Sequence, residues 1–118
     1  MNAVHEYSIV GALMDQVEAC ASGHRRASVR CVRVRVGDLA GVDRELLRTA
    51  WSLFREGTLC EDAELELEGE DARWECPACG TPIAPGAALR CVSCARPARL
   101  AAGDALVLER IEMEVDDV

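Results

Sequence analysis

A chain of 118 residues, 50% apolar but only 3% aromatic, is long enough for one modest domain whose core must be aliphatic. Thirteen basic residues against 21 acidic leave a formal charge of −8, the wrong sign for gripping nucleic acid or an anionic membrane. No apolar run has the length of a membrane span and no secretory pattern opens the chain, so a soluble, cytoplasmic protein with reduced thiols is expected.

From Glu6 to about Ala21, Ile9, Val10, Leu13, Met14, Val17 and Cys20 recur at helical spacing, and Gly23 follows as a stop. Val32-Arg33-Val34-Arg35-Val36 then alternates with period two, which predicts a strand closing at Gly37-Asp38. Asp43 is placed to cap a second helix that carries Leu46, Leu47, Ala50, Trp51 and Phe54 on one stripe and stops at Gly57. Ala63 to Glu68 alternates again, and its glutamates suit the arginines of the first strand across an open sheet face. A last strand, roughly Ala105 to Val115, is expected to bring Val107, Ile111, Met113 and Val115 to one side.

Two helices and three strands that each need one apolar partner are satisfied by an α+β fold. It is expected to be a three-stranded sheet with two helices on one face, spanning residues 1–70 and completed by residues 104–118. Residues 71–103, rich in Pro, Gly, Ala and Cys, form an insertion too poor in large apolar side chains to hold a core of its own.

Four of the seven cysteines explain how that insertion holds together. Cys76-Pro-Ala-Cys79 and Cys91-Val-Ser-Cys94 are two tight pairs, and Gly80 after the first is free to take a positive φ. A two-residue spacer aims both thiolates of a pair at one point, and the eleven residues from Gly80 to Arg90 suffice for a hairpin opposing the pairs. Four thiolates at about 2.3 Å with no spare ligand describe a closed structural zinc site, a zinc ribbon. Iron in a rubredoxin-like cage is the main competitor, against which stand the scarce aromatics and the lack of a glycine after Cys94. A thioredoxin-type role needs one such pair at a helix start rather than two. As a nucleic-acid grip the ribbon is poor, with Arg73, Arg90, Arg96, Arg99 and Trp74 only. Cys20, Cys31 and Cys60 read as small buried apolar residues, and His24 as a solvated loop residue.

The stretch His5-Glu6-Tyr7-Ser8-Ile9-Val10 at the head of the first helix, Gly37-Asp38-Leu39 after the first strand, Phe54-Arg55-Glu56-Gly57-Thr58 after the second helix and the two cysteine pairs occur in one order. In that combination the chain resembles the HypA/HybF family of nickel metallochaperones for [NiFe]-hydrogenase maturation, over nearly its whole length. The resemblance implies zinc as a structural cofactor at Cys76, Cys79, Cys91 and Cys94. It implies nickel as transported cargo at the N-terminus, with His5 as the side-chain ligand and Glu6 binding through its backbone nitrogen, with an orienting role for its carboxylate. It also implies no enzyme activity of its own, a HypB-type maturation GTPase and the hydrogenase large subunit as partners, and a monomer or weak homodimer. Nickel(II) accepts a planar nitrogen set, and a chain end wraps such a set where a helix interior cannot.

Two departures from the family pattern stand out. The ribbon has no histidine beside its cysteines, so a pH response built on one does not transfer. Val4 stands where the family has its initiator methionine. All 13 basic residues are arginine, as a GC-rich gene would encode, and GTG reads as valine internally but as methionine at a start. The expectation is a native start at residue 4, reading Met-His-Glu. The alternative function is a zinc-ribbon protein-interaction adaptor without nickel. Nothing in the sequence assembles a Ser/His/Asp or Cys/His catalytic set or a phosphate-binding glycine loop.

Overall fold

Helix α1 (Ala3–Ala21) opens the structure, a computed structural model that describes residues 3–23, 27–84 and 88–115, and for Ala3 and Val4 the backbone alone. His24 lies outside the described residues. The helix begins three residues before the expected Glu6, and Val10, Leu13, Met14 and Val17 form its buried stripe. Strand β1 (Ala27–Gly37) follows, then helix α2 (Arg44–Phe54) and strand β2 (Glu64–Glu70). Three short strands, β3 (Arg73–Glu75), β4 (Pro82–Ile83) and β5 (Arg99–Ala102), precede the last, β6 (Leu106–Val115).

The chain divides into two units. One comprises the residues up to Arg35, Val42–Glu68 and those from Val107 on; the other comprises Val36–Gly41 and Gly69–Leu106.

The first unit is an α+β layer built on the sheet β2-β1-β6. Its core is aliphatic, as the composition demands: Val29, Val32 and Val34 of β1 are buried, with the α1 stripe and Leu47, Ala50 and Trp51 of α2. The indole N–H of Trp51 donates to the Ala63 carbonyl at 3.1 Å, so the one large polar-tipped side chain of this core is satisfied. Asp43 caps α2, its Oδ1 accepting from the N–H groups of Glu45 at 2.9 Å and Leu46 at 3.1 Å.

The other sheet face carries charge. Arg33 meets Glu68 of β2 at 3.0 Å, the strand pairing anticipated from the alternation, and Arg30 meets Glu114 of β6 at 2.7 Å. These contacts give strand directions. Between Cys31, beside Glu66, and Arg33, beside Glu68, both strands advance together, so β1 and β2 are parallel across the α2 crossover. Arg30 pairs with Glu114 whereas Arg33 and Arg35 approach Glu109, so β6 runs antiparallel to β1.

Three expectations are corrected here. In β6 the half-buried residues are Leu106, Leu108, Ile111 and Met113, while Val107 and Val115 are exposed. Glu109 and Arg110 are both exposed, and this slip of one residue reverses the inward phase of the strand. Phe54 is 44% exposed because it sits in the last turn of α2, where its ring packs on Tyr7 at 5.8 Å between centroids. Cys20 is exposed in the last turn of α1 and Cys31 is half-buried on the charged sheet face; only Cys60 is buried.

In the second unit, β4-β3-β5 form a small antiparallel sheet with Trp74 opposite Ile83 and Leu100. Its apolar cluster holds only Cys76, Ile83 and Cys91, with Trp74 and Ala98 against it. Gly37 passes so close to Gly103 that a Cβ there would stand 2.3 Å from the Gly103 carbonyl.

Candidate metal centre

The two cysteine pairs fold into matching turns. Cys76 N–H donates to the Thr81 carbonyl at 3.0 Å and Gly80 N–H to the Cys76 carbonyl at 2.8 Å. In the other turn Cys91 N–H donates to the Arg96 carbonyl at 2.9 Å and Ala95 N–H to the Cys91 carbonyl at 2.8 Å. Gly80 and Ala95 both take the left-handed conformation, with φ of 74° and 55°. The missing second glycine therefore does not distinguish zinc from iron, since an alanine takes the same shape in its place.

The Sγ atoms of Cys76, Cys79, Cys91 and Cys94 lie within 4.8 Å of one another. Zinc–thiolate bonds of 2.3 Å in a tetrahedron put sulfurs roughly 3.8 Å apart. Cys79 and Cys91 are 3.7 Å apart, and with all four sulfurs within 4.8 Å the cage has about the size that a tetrahedral metal requires. Cys76 and Cys91, the first of each pair, are buried, while Cys79 and Cys94 are exposed. The Thr81 hydroxyl lies 3.0 Å from Cys79 Sγ. That hydroxyl first, then the Thr81 backbone N–H and the neighbouring thiol of Cys76, lower the Cys79 thiol to about 6. Cys94, hydrogen-bonded to Cys79 and Cys76, is pushed up to about 12. Thr81 was absent from the sequence reading; its position two residues after Cys79 was the available signal.

The N-terminal candidates are placed differently from each other. His5 is exposed in the first turn of α1, whereas Glu6 is fully buried, the only buried charged residue among those described. Its Oε1 accepts the Asp43 N–H at 3.1 Å, which sets the first turn of α1 at the capped start of α2. Its Oε2 is buried without a partner among the described residues. Since α1 starts at Ala3, the N–H of His5 is among the first-turn donors that no carbonyl of the helix reaches.

Cys31 and Cys60 are poor ligands by environment. Burial, then the charge of Glu18, pushes Cys60 up to about 11. Burial, then the carboxylates of Glu66, Glu112 and Glu64, raises Cys31. No helix among the described residues is long and apolar enough to cross a membrane.

The family described as hydrogenase/urease nickel incorporation metallochaperone, HypA, matches residues 4–113. Similar proteins include the hydrogenase maturation factor HypA of Nitrosospira multiformis, 37% identical over 93% of this chain and 97% of that one. That of Aquifex aeolicus is 35% identical over 96% of this chain and 100% of its own. The solution structure of the Ni metallochaperone HypA from Helicobacter pylori, 29% identical, superposes with a TM-score of 0.70 over 94% of this chain and 98% of that one. A second HypA solution structure, also 29% identical, covers 94% and 97% with a TM-score of 0.75. With the fold, the four-cysteine cage and these matches in agreement over nearly the whole length, the chain belongs to the HypA family of hydrogenase maturation factors.

Proposed function

We infer that this protein is a cytoplasmic nickel carrier, not an enzyme. It takes up Ni(II) at its N-terminal end and passes it on during [NiFe]-hydrogenase maturation, while zinc at Cys76, Cys79, Cys91 and Cys94 holds the ribbon in shape. The observation that carries the reading is the placement of His5. Its imidazole is exposed in the first turn of α1, and its own N–H is among the first-turn donors that no carbonyl of the helix reaches. Among the described residues, the ribbon cysteines are the group of three or more ligand side chains within reach of one ion. A metal at His5 therefore completes its donor set with backbone nitrogens, those of His5 and Glu6 first. The positive end of α1 favours loss of an amide proton at that turn. A planar nitrogen set suits nickel(II). The Helicobacter pylori structure of the same family is that of a Ni metallochaperone.

An exposed site releases its metal readily, as delivery requires. The recipients are a HypB-type maturation GTPase and the hydrogenase large subunit, which supply the nucleotide hydrolysis and the metal centre that this chain does not. The test is nickel titration of zinc-loaded wild type and His5→Ala. Wild type is expected to take up one nickel that His5→Ala does not. Equal binding by both, or binding by neither, overturns the reading and favours a zinc-ribbon adaptor.

A further inference from the structure

The two cysteine turns share a backbone path but not the same surroundings. Residue 80 of the first is glycine, which takes its φ of 74° without cost, whereas the second turn reaches the same shape with Ala95 at φ 55°. Leu89, two residues before Cys91, has φ 53°. Among the described residues, the two that carry a Cβ into the left-handed region therefore bracket Cys91 and Cys94. The outer thiols differ as well. Cys79 Sγ has the Thr81 hydroxyl at 3.0 Å, and Thr81 is the residue whose carbonyl takes the Cys76 N–H. At the same place in the second turn, Arg96 takes the Cys91 N–H on its carbonyl and has no hydroxyl to offer Cys94. Exposure does not separate Cys79 from Cys94, since both reach solvent, and Val92 within the second pair is fully exposed. Backbone strain and hydrogen bonding both single out the second turn.

We propose that the four-cysteine cage opens at one corner: Cys94 is the thiolate that an electrophile detaches first, and Thr81 is a positioning residue that keeps Cys79 in place. With a metal in the cage Cys79 is a thiolate and only accepts, so the Thr81 hydroxyl donates to it. A thiolate that shares its charge with a hydroxyl proton is a weaker nucleophile, and the same bond fixes its side chain against the chain that follows. Cys94 lacks that donor, and its departure lets Ala95 leave a conformation that is costly for a residue with a Cβ. The proposal rests on the zinc reading above and adds to it a direction of opening.

Zinc-loaded protein treated with N-ethylmaleimide tests this. In the reaction the cysteine sulfur gives an electron pair to one alkene carbon, its bond to the metal breaks, and the other alkene carbon takes a proton from water. Zinc slows the reaction at every ribbon sulfur, so the order is read at low extent of labelling by peptide mass spectrometry. Cys94 is expected to be labelled about tenfold faster than Cys79, the effect of one hydrogen bond to a charged sulfur. Thr81→Val, which keeps the shape and removes the hydroxyl, should bring the two rates together, and Thr81→Ser should restore the difference. Ala95→Gly should slow labelling of Cys94 by about fivefold. With cobalt(II) in place of zinc, Thr81→Val should keep the tetrahedral ligand-field bands. Its sulfur-to-cobalt charge-transfer band should move to lower energy, a shift that a change in packing alone would not give. Equal rates at Cys79 and Cys94 in wild type, or an order unchanged in Thr81→Val, overturns the proposal, and one retained zinc per chain then leaves the zinc reading standing. A chain that retains no zinc overturns both.

Discussion

Gly80 and Ala95 occupy the same place in the two cysteine turns: each has a positive φ, and each gives its N–H to the carbonyl of the first cysteine of its pair at 2.8 Å. An L-residue with a Cβ pays about 1–2 kcal/mol for that conformation, which glycine adopts freely. Ala95→Gly is therefore expected to stabilise the zinc-loaded ribbon by about 1 kcal/mol, and Gly80→Ala to destabilise it by a similar amount. No atom lies within 4 Å of a Cβ added at Gly80, so its effect is conformational rather than steric. Denaturant midpoints of the two variants at saturating zinc check both signs.

Gly37 poses the opposite case. Its φ is not the issue; its neighbour is, since a Cβ would stand 2.3 Å from the carbonyl carbon and oxygen of Gly103 and 2.9 Å from Asp104 N. These are backbone atoms, held by bonds from Leu39 N–H to the Gly103 carbonyl at 2.7 Å and from Gly37 N–H to the Ala105 carbonyl at 2.9 Å. Gly37→Ala should cost about 3 kcal/mol or prevent folding of the second unit, as overpacking against an immovable backbone does. Loss of zinc retention together with a lowered unfolding temperature is the expected measurement.

Thiol reactivity should follow environment. At pH 7 Cys60, with its pKa near 11, remains protonated in the folded first unit. Alkylation of zinc-free protein mapped by mass spectrometry should label the four ribbon cysteines, and Cys60 only on unfolding of the first unit, since it is also inaccessible. Zinc should protect all four ribbon cysteines. The sign for Cys60 is that of a thiol kept neutral by folding. Its contribution to stability is whole below the ordinary value of 9.0 and is lost as pH rises through about 11. Alkaline unfolding in that window should be relieved in Cys60→Ala only to the extent that its cavity does not offset the gain.

What was legible in the sequence was periodic or local. The Val/Arg alternation of β1, the Asp43 cap and the two cysteine turns each follow from side-chain chemistry within a few residues, and the structure has all three. What was not legible depends on tertiary contacts. The slip at Glu109-Arg110 exchanges Val107 for Leu106 and Leu108 as inward residues, and nothing in an alternating pattern marks where a strand changes phase. The strands of the ribbon are two to four residues long and fall below any periodicity. In the sequence Glu6 is only an acid at the head of α1. Its burial depends on the start of α2, 37 residues further on, arriving at the same place.

Removing zinc should disorder the ribbon and leave the first unit folded, and two tryptophans are placed to report it. Trp51 is 2% exposed in the core between helices and sheet, whereas Trp74 is half-buried against the small cluster of Cys76, Ile83 and Cys91. That cluster buries two cysteines and one isoleucine, too little apolar surface to offset the entropy of ordering a ribbon of more than thirty residues. A chelator is therefore expected to shift Trp74 emission to the red, while Trp51 keeps its buried emission and the α1 and α2 signals in circular dichroism stay in place. Trp74→Phe and Trp51→Phe variants assign each change to its residue. If zinc removal shifts Trp51 as much as Trp74, the first unit depends on the metal as well, and zinc supports the whole chain rather than the ribbon alone.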